Sequence, residues 1–233
     1  MTAANLSELR DRFLREDHVV IEGRFAVTRA LQCGYVPELI VTTEETLEVL
    51  PSMPAGTAAE VCSRHELSQI SGYDFHRGCL ALGPRPPEAT SIDAALTRLS
   101  ETRQAARRPM VLLLEHIADP QNMGAILRTA HALRVDQVFV SREGADPWSR
   151  RVIRTSMANV FARPPVIAED LEMVARQLHR ALHMELVAAA LRSDAQAIQE
   201  FQRSGAPLGL MLGNEGAGLS VELLQHADAI VKI

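Results

Sequence analysis

Three stretches of the sequence place reactive or ligand-binding residue types at usable spacings. In EHIADPQNMGAILRT, Asn122, Gly124 and Arg128 fall within seven residues of one another. Asp119-Pro120 turns the chain and Asn122 suits the cap of a following helix. Gly124 falls in the first turn, where it gives up about 1 kcal/mol of helix stability against Ala but lets a ligand or backbone come close. Arg128 stands one turn further on, and its guanidinium fork bonds two oxygens of a phosphate at once. Taken alone, the trio reads equally well as a capping Asn, an incidental Gly and a solvated Arg. In LGLMLGNEGAGLSVELLQHA, an apolar run through Leu212 enters a loop with Gly213, Asn214, Glu215, Gly216 and Gly218. Without side chains in the way, backbone N–H groups can face a ligand directly. No Lys follows the glycines, which excludes a Walker loop, and the GxxGxG spacing is a poor dinucleotide fingerprint. A dinucleotide-dependent enzyme has only this loop in its favour. In WSRRVIRTSMANVFARPPV, Arg150, Arg151, Arg154 and Arg163 form a basic stripe at helical spacing, suited to phosphate or simply to solvent. Trp148 has two uses there, stacking on a base or packing in a core.

Such loops need strands and helices to hold them. HVVIEG, PELIVTT, AAEVCS and GCLALG read as short strands. GRFAVTRALQCG, residues 43–50 and RHELSQISG read as the helices between them, which makes a small α/β layer. PRPPEAT then breaks the pattern, and a polar helix, SIDAALTRLSETRQAARR, follows. The expected domains are therefore 1–84 and 109–233, joined by a linker over 85–108. The second domain opens with PMVLLLEH, a continuous apolar run typical of a strand buried on both faces of a parallel sheet. NMGAILRTAHALRV, DQVFVS, WSRRVIRTSMA, RPPVIA, EDLEMVARQLHRALH, MELVAAAL, DAQAIQEFQRSG and PLGLMLG continue as alternating helices and extended segments. Ligands in such sheets bind beyond the C-terminal strand ends, which picks out the loops after His116, Ser141 and Leu212.

Composition narrows the partners. The 233 residues are 47% hydrophobic but only 4% aromatic, so the cores rest on Leu, Val, Ile, Ala and Met. A net charge of −5 excludes uniform positive potential for coating nucleic acid and leaves room for a local basic face. The three cysteines, Cys33, Cys62 and Cys79, form no CxxC or Cys/His cluster and are expected as reduced, buried thiols, with no metal site. The charged N-terminus is no secretory signal, and no apolar run approaches the ~20 residues that span a bilayer, so a cytoplasmic chain is expected.

The order of the three stretches, NMGAILR, TSMANVFARPPV and LGNEGAGLS, resembles the consecutive motifs of the SpoU class (TrmH-like) of RNA ribose 2′-O-methyltransferases in the SPOUT superfamily. HVVIEGRFAVTRALQCGYVPELIVTT and HRGCLALG look like that family's ribosomal-protein-like (L30e-like) substrate-binding domain. The resemblance implies a small N-terminal α/β domain and a C-terminal parallel-sheet domain tied in a trefoil knot. It also implies methyl transfer from S-adenosylmethionine to a ribose 2′-hydroxyl of tRNA or rRNA by a homodimer. Arg128 is the implied catalytic arginine, with Asn122 and Glu215 ordering the site. Leu212, Gly213, Asn214, Gly216, Gly218 and Ile233 are the implied donor-binding residues. RNA affinity is expected from Arg24, Arg29, Arg150, Arg151 and Arg154, and to fall steeply with salt. The family's Ile-Pro pair, Ser-Leu-Asn motif and final helix are missing after AIVKI, so a truncated chain is expected first, with a naturally short homologue or a site completed by a partner chain as the alternatives, and the knot and donor pocket open to being incomplete. Ala158 stands where the second motif often has Gly. A homologue that binds RNA without methylating it is the alternative from another functional class.

Overall fold

The structure, a computed structural model, describes residues 3–13, 17–88, 91–105 and 107–232. By packing, the chain divides into two units: 1–87 with 146–162, and 88–145 with 163–233. The first unit begins with α1 (Ala3–Arg12), β1 (His18–Glu22), α2 (Arg24–Gln32), β2 (Leu39–Thr42) and α3 (Glu44–Leu47). It continues through β3 (Ala58–Val61), α4 (Arg64–Ser71) and β4 (Cys79–Pro84). Its sheet has the order β1-β4-β2-β3, with β4 antiparallel to both neighbours and β2 parallel to β3. Strands β1, β2 and β4 are buried nearly throughout, and Val20, Leu39, Val41, Leu67, Ile70, Phe75, Leu80 and Leu82 make the core. Ser63 and Glu66 close α4 with a capping box, and Gly72 ends it in the left-handed conformation.

The second unit takes up α5 (Ile92–Gln104), β5 (Met110–Leu114), α6 (Pro120–Ala132) and β6 (Gln137–Ser141). The chain then contributes α7 (Arg150–Thr155) and α8 (Asn159–Ala162) to the first unit. It resumes the second with β7 (Val166–Ala168), α9 (Leu171–Leu182), β8 (Glu185–Ala189), β9 (Gln196–Ala197), β10 (Leu208–Leu212), α10 (Val221–Leu224) and β11 (Ala229–Lys232). The sheet order is β7-β6-β5-β10-β8-β11-β9, every pairing parallel. In α9, Leu171, Val174, Ala175, Leu178 and Leu182 repeat at helical spacing and are all buried, and Asp170 caps the helix through the Met173 amide. Register fixes where loops meet. Leu212 pairs with Leu114 on one side and Ala189 on the other, so the chain leaves β5, β10 and β8 at one level.

Five expectations change. Cys33, expected buried, is exposed because it caps the C-terminal end of α2, while Cys62 and Cys79 are buried. The polar helix placed in a linker is α5, and its Ala95 and Leu99 are buried in the second unit's core. The basic segment placed in the second domain packs with the first unit. The helix expected over DAQAIQEFQRSG is instead β9 and a 3-10 turn at Ile198–Glu200; pairing of Gln196 with Val231 wins over a pattern that buries little beyond Ala195. Asn122 does not cap α6. Asp119 does, accepting from the Gln121 amide at 2.9 Å, with Pro120 in the first turn.

Candidate active site

Where β5 ends, the next residues are fixed from two directions. The Glu115 amide donates to the Leu212 carbonyl at 2.9 Å. Its buried carboxylate accepts from the Ser220 hydroxyl at 2.6 Å and the Ser220 amide at 2.7 Å. Ser220 also caps α10 by accepting from the Leu223 amide at 3.1 Å. Glu115 thereby ties the start of one loop to the end of the other. His116 follows with φ 52, and its amide donates to Ser141 Oγ at 2.8 Å.

The glycine loop closes on itself before it closes on anything else. Asn214 and Gly218 exchange backbone hydrogen bonds at 3.0 and 2.9 Å. Asn214 Oδ1 accepts from the Gly216 and Ala217 amides, both at 2.9 Å, and its Nδ2 donates to the His116 carbonyl at 2.9 Å. The amides of Gly216, Ala217 and Gly218, expected to face a ligand, are thus already taken by Asn214. Gly213 owes its identity to crowding within the loop. A Cβ there would lie 2.3 Å from the carbonyl carbon of Gly218 and 2.4 Å from the Leu219 nitrogen. Gly218 has φ 75 with open space around its missing Cβ.

Relieved of capping, Asn122 reaches across. Its Nδ2 donates to Glu215 Oε1 at 2.8 Å, and the Ala118 amide lies 3.3 Å from Oε2. The Asn122 bond, ahead of opposing desolvation, holds the Glu215 carboxyl below the ordinary carboxylate range, and backbone amides add to it. Asn122, Asn214 and Glu215 are therefore one connected group. Arg128 lies on the exposed side of α6, about 9 Å further along the helix axis at 1.5 Å per residue, with no ion pair among the described residues.

Beside this group opens a cleft of about 530 Å³. Its walls are the 213–219 loop, residues 189–192 after β8, Val221 and Leu224 of α10, and Val231 and Lys232 of β11. Leu191 is 90% exposed and Val221 63%. Asn214, Glu215 and Gly213, Gly216 and Gly218 line it, whereas Arg128 and Ala158 do not. Leu212 contributes its carbonyl to Glu115, and Ile233 lies outside the described residues. Among the described residues no group of three or more His, Cys, Asp or Glu could hold a metal ion. Among the described residues no helix is long and apolar enough to cross a membrane.

The arginines singled out in the sequence have assorted surroundings in the first unit. Arg150 pairs through Nε with Glu22 Oε1, and Arg154 lies 3.6 Å from Oε2; the Glu22 side chain is 1% exposed. Arg29 donates to Asn159 Oδ1. Arg24 lies over the Phe25 ring, and Arg151 is on an exposed position of α7. Trp148 is buried edge-on against Phe161, with ring centroids 5.1 Å apart, which is its packing role. Arg163, in the second unit, donates to the Val135 carbonyl. Ala158 is buried with φ 59, a left-handed position that a glycine would occupy without strain.

Sequence reasoning passed over Glu115 and Ser220. The signal was a carboxylate ending an apolar run, since a buried charge at a strand terminus needs a partner.

Comparison with known proteins puts a chemistry beside this geometry. A family model described as the SpoU rRNA Methylase family matches residues 109–233. The chain is 29% identical over 219 residues to an uncharacterised tRNA/rRNA methyltransferase of Mycobacterium tuberculosis, covering 92% of this chain and 72% of that protein. It is 28% identical over 211 residues to the 23S rRNA (guanosine(2553)-2'-O)-methyltransferase RlmP of Bacillus subtilis, covering 90% and 76%. The crystal structure of an AdoMet-bound rRNA methyltransferase from Sinorhizobium meliloti superposes with a TM-score of 0.77 at 23% identity, covering 100% of this chain and 87% of that one.

Proposed function

The chain belongs to the SpoU rRNA Methylase family, and from that premise we propose that it methylates a ribose 2′-hydroxyl of tRNA or rRNA with S-adenosylmethionine as donor. The observation that carries the proposal is the Asn122–Glu215 bond, which joins the first turn of α6 to the glycine loop at the rim of a cleft beyond the strand ends.

The cleft fits the donor. Its volume of about 530 Å³ is in the range of small-molecule sites, and apolar Leu219, Val221, Leu224 and Val231 alternate with Asn214 and Glu215. The open space at Gly218 leaves its edge accessible. S-adenosylmethionine, when bound, supplies an activated methyl carbon on a positively charged sulfur. Leu212, Gly213, Asn214, Gly216 and Gly218 would hold it, together with Ile233 by the resemblance. The ionised Glu215 in the same wall complements positive charge.

Transfer would form one O–C bond and break one S–C bond, with the hydroxyl proton passing to water and the sulfur leaving as a neutral thioether. Arg128 is assigned to the RNA side. A guanidinium holds its proton tightly, which makes it a demanding base. Binding a phosphate next to the reacting ribose, and so orienting the hydroxyl, uses the fork as it is. Homodimeric assembly, the trefoil knot, cytoplasmic location and a role in RNA processing belong to the same proposal. Arg24, Arg29, Arg150, Arg151 and Arg154 are proposed as RNA contacts.

A second reading, an RNA-binding homologue without donor, has one observation in its favour, the occupation of three loop amides by Asn214. Calorimetric titration with S-adenosylmethionine, followed by mass spectrometry of digested RNA for 2′-O-methyl nucleosides, tests both. Donor binding with methylated product supports the enzyme; RNA binding with no heat from the donor overturns it.

A further inference from the structure

The second unit gathers positive charge at the end of its sheet opposite the cleft. There β5, β6, β8 and β10 begin within one residue of a common level, Leu208 pairing with both Met110 and Glu185, and Gln137 with Val111. Helices between parallel strands return the chain to this end, so α6 and α9 finish here, and α5 stops shortly before β5.

Contacts join the arginines of this end into one surface. Arg103 Nη1 donates to the Leu182 carbonyl at 2.6 Å, which brings the end of α5 to the end of α9 and to Arg180. Arg107 Nη2 pairs with Asp136 Oδ1 at 3.2 Å, two residues from Arg134. The Arg108 guanidinium reaches the turn that holds Arg203, where a Cβ on Gly205 would stand 3.3 Å from its Nη1. All six arginines are exposed.

The carboxylates that begin or precede these strands are engaged. Asp136 Oδ2 accepts from the Met110 amide at 2.9 Å, and Glu185 Oε2 accepts from the amide and hydroxyl of Ser204. Asp228 Oδ2 accepts from the Leu186 amide at 2.7 Å and pairs with His179 Nε2 at 3.1 Å. Arg108, Arg134, Arg180 and Arg203 have no carboxylate partner among the described residues. The helix dipole accounts for Arg180 in the last turn of α9 and for Arg134 just after α6. It does not account for Arg108 and Arg203, which lie beyond any α-helix. In a chain of net charge −5, this is a local positive surface that a polyanion would meet.

Resting on the reading of the chain as an RNA-modifying protein, we infer that this end of the second unit is a separate RNA contact, taking the phosphate backbone of folded RNA that flanks the methylated nucleotide. Guanidinium forks bind phosphate oxygens in pairs and hold the RNA without reading its sequence. Between this surface and the cleft runs the length of β10, Leu208–Leu212, about 13 Å at ordinary strand rise, with loops adding to it at both ends. A trinucleotide in the cleft therefore falls short of these arginines, whereas a folded RNA spans both.

The test replaces Arg108, Arg134, Arg180 and Arg203 together, by Gln in one full-length chain and by Lys in another. Binding of a labelled RNA hairpin of about 20 base pairs and of a labelled trinucleotide is followed by fluorescence anisotropy over a range of salt. In the Gln chain, hairpin affinity should fall at least about tenfold and the slope of log affinity against log salt by about three. The Lys chain should recover both, because counterion release counts charges. The trinucleotide should respond alike in all three chains. Unchanged hairpin affinity and slope overturn the proposal, as does a loss that Lys fails to restore or that the trinucleotide shares. Calorimetry with S-adenosylmethionine on the same chains keeps the two readings apart. Donor binding with arginine-independent hairpin binding defeats only this contact; arginine-dependent hairpin binding with no donor heat defeats only the methyltransferase reading.

Discussion

Asn122 Nδ2 donates to Glu215 Oε1 at 2.8 Å, a bond between residues 93 positions apart that joins the loop after β5 to the loop after β10. It exists because Asp119, rather than Asn122, caps α6 and leaves the amide side chain free.

That bond sets a pH dependence. The Glu215 carboxyl is lowered first by Asn122, with burial opposing. A depressed carboxyl contributes stability that is fully present above its unfolded value, about 4.3, and is lost as pH falls through the lower folded value. From neutral pH down to about 5 the loop linkage should therefore be unchanged, and it should loosen only below about 4.3. Asn122→Ala should move the Glu215 midpoint upward in a carboxyl NMR titration. An unchanged midpoint would remove Asn122 as the organiser of the loop.

Arg128→Lys separates binding from chemistry. Arg128 is outside the cleft wall, so donor affinity should change by less than about twofold, while single-turnover methyl transfer should fall by about 100-fold or more. Full transfer by the lysine variant would show that a point charge suffices and that another residue carries the step.

Two glycines in one loop should respond differently. Gly213→Ala would drive a Cβ to 2.3 Å from Gly218 backbone, where nothing flexible can yield. Donor affinity is expected to fall at least about tenfold, with destabilisation of roughly 2–3 kcal/mol from overpacking. Gly218→Ala meets open space and suffers only from φ 75, a penalty of about 1–2 kcal/mol. Thermal melts and donor calorimetry on the pair check the order, which reverses if φ rather than crowding governs the loop.

Much of this was legible in the residues. The run MVLLL could only be a strand covered on both faces, and the loops after His116 and Leu212 do meet. The arginine stripe was misplaced for a physical reason. Segment 146–162 is held by contacts with residues far earlier in the chain, Arg150 and Arg154 with Glu22 and Phe161 with Tyr35, which local pattern cannot register. α5 was hidden behind PRPPEAT, although Ala95 and Leu99 already stood one turn apart.

Glu115 and Ser220 form the second tie between the loops. Ser220→Ala removes one acceptor-donor pair from a buried carboxylate and the cap of α10 at once. A bond to a charged group contributes about 1.5–3 kcal/mol, and the cap about 1 more. Urea denaturation should register a loss of about 2.5–4 kcal/mol. Ser220→Thr, which keeps the hydroxyl, should recover most of it; equal loss in both variants would point to packing instead.

Arg150 and Glu22 are 128 positions apart, and their pairing decides whether Arg150 reads RNA or holds the first unit together. The Glu22 side chain is 1% exposed and that of Arg150 36%, so the carboxylate is the desolvated partner. Removing the cation from a buried pair is expected to cost roughly 3 kcal/mol, tempered by Arg154 at 3.6 Å. Arg150→Met should therefore unfold at clearly lower urea, read by fluorescence of Trp148, the single tryptophan, buried in the same unit. Pairing it with Glu22→Leu should restore most of the stability, because an apolar pair of similar volume replaces a buried ion pair at little cost. RNA affinity then separates the roles. If Arg150 is spent on Glu22, the double variant keeps the salt dependence of RNA binding; if it contacts phosphate, the slope of log affinity against log salt falls by about one.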